Sequence, residues 1–207
     1  MEKRITIATV ADATLIAALA DEIWKEHYFP MSGEAYVLHL LKTLQSEEII
    51  EADIASERAV YYLLYIDSEA APDGDTNRRG RASERPETPK MTGTTSSTAT
   101  TQDGQERIPC GLLPVGYCAV NVEEKAVCLS KLYVKKAYRQ NGLSRMMIDY
   151  LKEHFAHKEY IHLIVNKKNA GSIAAYRHLG FTITGDVIID AGAGHFMNDY
   201  VMKLTLH

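Results

Sequence analysis

The sequence predicts an α/β protein in which helices flank one mixed sheet, built as a single domain over residues 1–207 with one long insertion. Strand-like segments alternate along the chain with segments whose apolar residues recur at helical spacing. Residues 67–107 contain no aromatic, branched aliphatic or cysteine residue. Because such a stretch cannot bury enough apolar surface to offset its loss of conformational entropy, we expect it to be a disordered insertion.

Seven segments have the alternation or the apolar content of strands. Residues 59–66 are rich in Tyr, Val and Leu, which is typical of a buried strand. The charged residues 123–125 separate two strand-like runs and predict a hairpin. In chain order, the predicted strands are residues 4–9, 59–66, 114–122, 126–134, 160–165, 181–189 and 196–206.

Helical spacing follows Asp12, a residue suited to a helix N-terminus, and Pro30 is expected to end this first helix. A second helix opens at Ser32 or Gly33 and is followed by a short acidic helical segment. Two more helices lie between the later strands, and Gly180 is expected to end the last one. The last three of these predicted segments are residues 46–54, 142–157 and 170–179.

Composition excludes several classes of protein. A net charge of −4 argues against a dedicated nucleic-acid binder. The three cysteines lack the CxxC spacing of a metal or disulfide framework, so we expect free thiols and no metal. The longest strongly apolar run, residues 59–66, is too short to cross a membrane, and the N-terminal residues show no secretory signal. A cytoplasmic protein without membrane or nucleic-acid partners is the resulting expectation.

Two segments carry chemistry. In residues 132–144, a strand end is followed by basic residues and by Gly142, which opens a helix whose N-terminal amides suit a phosphate. An ordinary strand-to-helix connection with solvated charges is the alternative. In residues 166–181, Tyr176 lies two helical turns after Asn169 and shares its face. A phenol at that place suits a general acid, although packing on the core explains it as well.

Together these two segments resemble the GNAT family, the Gcn5-related N-acetyltransferases. The family signature [Q/R]-x-x-G-x-[G/A] stands here as Arg139-Gln140-Asn141-Gly142-Leu143-Ser144. A second pattern runs from Asn169 through Tyr176 to Gly180-Phe181. The resemblance extends over the globular sequence from Arg4 to Leu206, and the front end, residues 23–41, is similar to bacterial small-amine acetyltransferases of the polyamine type.

The resemblance implies a GNAT-like sheet that splays between residues 131–134 and 161–165, with acetyl-CoA as cosubstrate in the split. Tyr176 would protonate the departing thiolate. The acceptor, a small-molecule primary amine, would lie on the other side of the split, and a homodimer is possible. The implied cofactor-binding residues are Leu132, Tyr133, Val134, Arg139, Gln140, Asn141, Gly142, Leu143, Ser144, Asn169 and Ser172. The implied acceptor-binding residues are Trp24, Glu26, His27 and Tyr28.

Two departures from the family pattern bear on these expectations. Ser144 stands where the signature has Gly or Ala, and its small size and free amide suggest that it is tolerated. The strand 126–134 lacks the glutamate base that some members carry, which leaves Glu26, His27 and Glu123 as candidates. A protein or peptide acetyltransferase, and a non-catalytic acyl-CoA-binding module, remain alternatives to the small-amine enzyme.

Overall fold

The computed structural model describes residues 2–67, 111–192 and 195–207. Seven strands form one mixed sheet in the order β1-β2-β3-β4-β5-β7-β6. All neighbouring strands are antiparallel except β4 and β5, which run parallel. The strands are β1 (Lys3–Ile7), β2 (Val60–Asp67), β3 (Leu112–Val122), β4 (Ala126–Val134), β5 (Tyr160–Asn166), β6 (Thr182–Gly192) and β7 (His195–Thr205).

Within the described residues, five α-helices cover the two faces of the sheet, and the predicted mixed sheet flanked by helices is confirmed. The first three helices pack on one face and the last two on the other. The helices are α1 (Ala13–Ser32), α2 (Glu34–Leu44), α3 (Glu47–Ala55), α4 (Leu143–His154) and α5 (Ala170–His178).

Strand β2, predicted as residues 59–66, explains why its sequence is an unbroken apolar run. Its alternate residues enter two separate cores: Leu63 packs with α1 to α3, whereas Leu64 packs with α4. Both side chains are essentially inaccessible to solvent. Because the sheet is covered on both faces, apolar side chains are required at successive positions rather than at alternate ones.

The prediction that Pro30 ends the first helix is wrong. Helix α1 continues through Pro30 to Ser32 and ends at Gly33, whose φ is +83°. Proline removes one backbone donor and one i to i−4 bond, a loss that the last turn of a helix accommodates more easily than its middle. The positive φ of Gly33 then separates α1 from α2.

Other expectations concern the chain outside the strands. The predicted insertion, residues 67–107, lies outside the described residues apart from Asp67, which ends β2. Asp67 and Leu112 are paired residues of β2 and β3, so the two ends that flank the undescribed segment lie side by side. Within the described residues, no helix combines the length and the apolar character that crossing a membrane requires.

Candidate active site

The central feature of the sheet is a gap between its two parallel strands. β4 and β5 pair only at their first three residues, and the last pair joins Cys128 to His162. Beyond this pair the strands separate, and their later residues line a cavity of about 490 Å³. The sequence-based expectation of a splayed centre between residues 131–134 and 161–165 agrees with this geometry.

A bulge in β4 changes the face of the sheet on which the following side chains lie. Ala119 of β3 pairs with Lys131, while Val120 pairs with Leu129, so Ser130 is an additional residue on β4. The Ser130 hydroxyl donates to the carbonyl of Ala119 at 3.1 Å. The bulge keeps Leu129 on the α4 side of the sheet and turns Lys131 toward α2.

The connection from β4 to α4 has the backbone conformation of an anion-binding loop. Gln140 and Gly142 both have positive φ, 64° and 76°, and the Gly142 carbonyl accepts the first helical bond of α4 from Met146. The amides that begin α4, including those of Leu143 and Ser144, have no carbonyl partner within a helix and offer donors to a phosphate. The side chain of Asn141 donates to the carbonyls of the same loop and holds it in shape.

Lys3, a residue that the sequence reasoning missed, adds a positive charge beside this loop. Its ammonium donates to the carbonyl of Asn141. A Cβ atom placed on Gly142 would lie 3.5 Å from the Lys3 Nζ atom. Nothing in the sequence marks Lys3, because β1 and the loop are brought together only by the packing of the complete sheet.

Arg139 lies between the loop and the gap. Its Nε atom donates to the carbonyl of Val134 at 2.9 Å, and its Nη1 atom is 3.4 Å from His27 Nδ1. The Val134 carbonyl therefore already accepts a hydrogen bond. The backbone around Leu132 is thus the better partner for an amide-containing ligand in the gap. Burial and then the charge of Arg139 lower the pKa of His27, so its imidazole is neutral at pH 7.

Asn169 faces the loop from the other side of the gap. It is 5% exposed, and its Oδ1 atom caps α5 by accepting from the Ser172 amide at 3.1 Å. Its Nδ2 atom lies 3.3 Å from His27 Nε2. His27 thus bridges the helix-capping residue to Arg139, which places it beside the loop that opens α4. Asn169 and Ser172 both line the cavity.

Four tyrosines line the cavity: Tyr28, Tyr36, Tyr133 and Tyr176. The hydroxyl of Tyr28 hydrogen-bonds with Tyr133 and Asn169. The Tyr176 ring packs against Phe181 with its centroid 5.5 Å away. Burial, followed by the neighbouring phenol of Tyr28, raises the pKa of Tyr176. Its hydroxyl therefore stays protonated at neutral pH, as a hydrogen donor to a leaving group requires.

Only two of the four predicted acceptor residues line the cavity. Trp24 and Tyr28 lie one helical turn apart on α1, and their ring centroids are 4.9 Å apart. Glu26 projects from another face of the helix, where its carboxylate is 3.8 Å from the ammonium of Lys136. Because His27 also contacts Arg139, Glu26 and His27 both lie toward the connection between β4 and α4 rather than in the lining of the cavity.

Asp199 is the carboxylate that the sequence reasoning missed. It lines the cavity from β7, is 5% exposed, and accepts a hydrogen bond from Asn166 Nδ2 at 3.1 Å. Burial raises its pKa, while the hydrogen bond from Asn166 and the charge of Lys167 oppose that rise. No local pattern marks Asp199, because its importance comes from the pairing of β7 with the end of β5.

Glu123, the third candidate base, lies at the closed end of the gap. Its carboxylate is 3.0 Å from His162 Nε2, and together with Cys128 these residues place three ligand-type atoms within 4.8 Å of one another. No spacing in the sequence marks this group, because its members come from a turn and two strands. Glu123 is not among the residues that line the cavity.

Comparison with known proteins agrees with this geometry. The sequence model of the acetyltransferase (GNAT) family matches residues 82–181. The PaiA N-acetyltransferase from Thermoplasma acidophilum, solved in complex with coenzyme A, shares 13% identity, and the alignment covers 99% of both chains with a TM-score of 0.62. A GNAT-family acetyltransferase from Streptococcus pneumoniae shares 16% identity over 99% of both chains, with a TM-score of 0.58.

A ribosomal-protein alanine N-acetyltransferase from Escherichia coli also has this fold, with 16% identity, 99% of this chain and 94% of the other covered, and a TM-score of 0.53. No curated protein matches the sequence significantly. The splayed sheet and the loop that opens α4 define an acyl-CoA-dependent transferase.

The chain has the predicted fold of the GNAT acetyltransferases, and residues 82–181 match the sequence model of that family. It is an acetyl-CoA-dependent N-acetyltransferase, and acetyl-CoA is its cosubstrate.

Proposed function

We propose that the acceptor is the primary amine of a small molecule, bound in the cavity between α1, α2 and the gap. The observation that carries this proposal is the position of Asp199, a buried carboxylate facing a cavity lined by aromatic side chains. A buried carboxylate attracts an ammonium, and aromatic faces add a favourable interaction with a cation.

The size of the cavity supports a small acceptor. Its volume of about 490 Å³ lies within the range typical of small-molecule sites. Helices α1 and α2 contribute Trp24, Tyr36 and Leu40 on one side, and β7 contributes Met197 on another. Side chains from both ends of the chain therefore surround the acceptor region, which fits a compact ligand better than a protein surface.

We assign the cosubstrate to the gap and to the loop that opens α4. Bound acetyl-CoA supplies the activated acetyl thioester. The amides of residues 140–144, with Arg139 and Lys3 nearby, would hold the pyrophosphate. The backbone around Leu132 would bind the amide-containing arm along the free edge of β4. Asn169 and Ser172 would limit the opposite side of the gap.

Asp199 and Tyr176 have separate roles in the proposed reaction. Asp199 binds the ammonium and accepts its proton, which frees the nitrogen lone pair for attack. Its raised pKa makes it a stronger base than an ordinary surface carboxylate. The freed nitrogen forms a bond to the thioester carbon, and Tyr176 gives its proton to the sulfur as the carbon–sulfur bond breaks. The second proton lost by the nitrogen as the amide forms restores the Tyr176 phenol, and the proton on Asp199 passes to solvent. The closeness of the two reactants then supplies a large part of the rate.

The experiment that tests this proposal is mass spectrometry of acceptors incubated with the protein and acetyl-CoA. The panel contains putrescine, spermidine, spermine, amino acids, aminoglycosides and short peptides, because the front end of the chain resembles polyamine-type enzymes. We expect an acetylated small amine. Acetylation confined to peptides would instead support a protein acceptor, and acetyl-CoA binding without any product would support a non-catalytic module.

A further inference from the structure

The charges around the cavity are unevenly compensated. Among the described residues, its lining contains four formally charged side chains: Asp53, Arg58, Lys131 and Asp199. Asp53 pairs with Arg58 and also accepts a hydrogen bond from Tyr61 at 3.0 Å. Asp53 is therefore already neutralised, and the cavity retains one negative group, Asp199, and one positive group, Lys131.

Lys131 is held with its ammonium at the cavity wall. Its Nζ atom donates to the carbonyl of Leu44 at 2.9 Å and to the hydroxyl of Tyr61 at 2.6 Å, and it lies 4.9 Å from the centre of the Tyr61 ring. These contacts use two of the three donors of the ammonium. Burial lowers its pKa to about 8, so the side chain is still mostly protonated at pH 7.

Lys131 and Asp199, which form no salt bridge within the described residues, lie on opposite sides of the gap. Lys131 extends from β4 next to its bulge, whereas Asp199 extends from β7, beyond β5. An acceptor whose ammonium lies against Asp199 would extend the rest of its structure toward the β4 wall. A polyamine would bring a second ammonium toward Lys131, and the carboxylate of Asp53 is not free to compensate it.

We propose that the acceptor carries a carboxylate in addition to its amine, so that Asp199 binds the ammonium and Lys131 binds the carboxylate. The substrate class is an amino-acid-like zwitterion. A single ammonium with one donor left suits a singly charged carboxylate better than a doubly charged phosphate. This inference rests on the proposed function, because it names the acceptor of the same site.

The test compares acceptors that differ only in the carboxylate, such as ornithine with putrescine and phenylalanine with phenethylamine. For at least one pair, the protein should acetylate the carboxylated member with a kcat/KM at least about tenfold higher. Lys131→Gln should raise KM for that member by about tenfold and leave KM for its partner unchanged. Lys131→Arg keeps the positive charge and should keep the preference.

Lys125→Gln is the matched control, because Lys125 is exposed and its partner Glu159 lies outside the cavity. The acetyl-CoA Kd of every variant reports whether the fold is intact. If Lys131→Gln does not fold, the kcat/KM values of the unaltered protein for the two members of each acceptor pair test the inference. Equal or better use of the decarboxylated amines would overturn this inference and leave the proposed function intact. A preference for the carboxylated member that persists in Lys131→Gln would do the same. Absence of product from every amine overturns the proposed function as well.

Discussion

The two halves of the candidate active site are built in different ways. The proposed cofactor half comes mainly from two short continuous segments: residues 139–144 form one loop and helix start, and residues 169–176 lie in one capped helix. The proposed acceptor half is assembled from α1, α2, β4 and β7, and its central carboxylate, Asp199, lies far along the chain from Trp24. A short motif can therefore reveal the first half, whereas only the folded sheet reveals the second.

This difference has a physical origin. Phosphate is recognised by backbone amides and by positive φ angles, which depend on glycine and on local spacing. An amine is recognised by a carboxylate and by aromatic faces, which any strand or helix near the cavity can supply. Changes to the two halves should therefore have separable effects on acetyl-CoA binding and on acceptor turnover.

The largest expected effect comes from reversing charge in the cofactor half. The double variant Arg139→Glu with Gly142→Asp should weaken acetyl-CoA binding by about 100-fold or more. Two carboxylates would then face the pyrophosphate, and a side chain in place of Gly142 would strain a backbone with φ of +76°. Isothermal titration calorimetry measures the Kd. Lys152→Glu, in the last turn of the same helix, is the control and should bind normally. Unchanged binding by the double variant would rule out this cofactor site.

The complementary change in the acceptor half is Asp199→Asn. This substitution keeps the Oδ1 acceptor for Asn166 and removes the negative charge and the base. We expect kcat/KM for the amine to fall by about 100-fold to 10,000-fold, with the acetyl-CoA Kd unchanged. Asp21→Asn, at an exposed ion pair with Lys25 outside the cavity, should behave like the unaltered protein. Full activity of Asp199→Asn would show that another group receives the proton.

A smaller effect is expected where the two halves meet. Tyr176→Phe removes the hydroxyl that we propose as the proton donor to the sulfur and keeps the ring packed on Phe181. We expect kcat to fall by about tenfold to 100-fold while the acetyl-CoA Kd changes less than about twofold. Steady-state kinetics with a product-mass readout measures this split, and Tyr150→Phe on α4 is the control. A large loss of cofactor affinity without a change in kcat would contradict the assignment of Tyr176 as the acid.

The smallest effect is expected from the segment between β2 and β3. Because Asp67 and Leu112 are paired, a short turn such as Asn-Gly with flanking residues can join the two strands in place of residues 68–110. Turnover and acetyl-CoA binding by this shortened protein should stay within about twofold of normal. Retained acetyl-CoA binding without turnover would instead favour a role for residues 68–110 in function.

The sequence predicted most of the fold because its local signals agree with the final packing. Residues 126–134 were predicted with the bounds of β4, and Gly180 ends the last helix with a φ of +97°. The prediction that Pro30 ends α1 failed because a proline in the last turn of a helix does not stop it, and no local pattern indicates where the last turn lies. Lys3 and Asp199 were missed because sheet pairing alone brings them to the site.

Of the four predicted acceptor residues, the structure places two at the cavity and two away from it. The family resemblance implied Trp24 and Tyr28 as acceptor-binding residues, and the structure brings both to the cavity. Glu26 and His27 were predicted from the same short stretch, yet the turn of the helix directs them toward Lys136 and Arg139. The sequence indicated the correct helix, α1. Which of its residues face the cavity became visible only in the structure.

A crystal structure of the protein with coenzyme A and the acetylated product tests the separation of the two halves most directly. We expect the amide-containing arm in the gap between β4 and β5, the pyrophosphate on residues 140–144, and the acetylated nitrogen on the α1 and α2 side within hydrogen-bonding distance of Asp199. An arm bound outside the gap, or a product bound on the α4 and α5 side, would contradict the account.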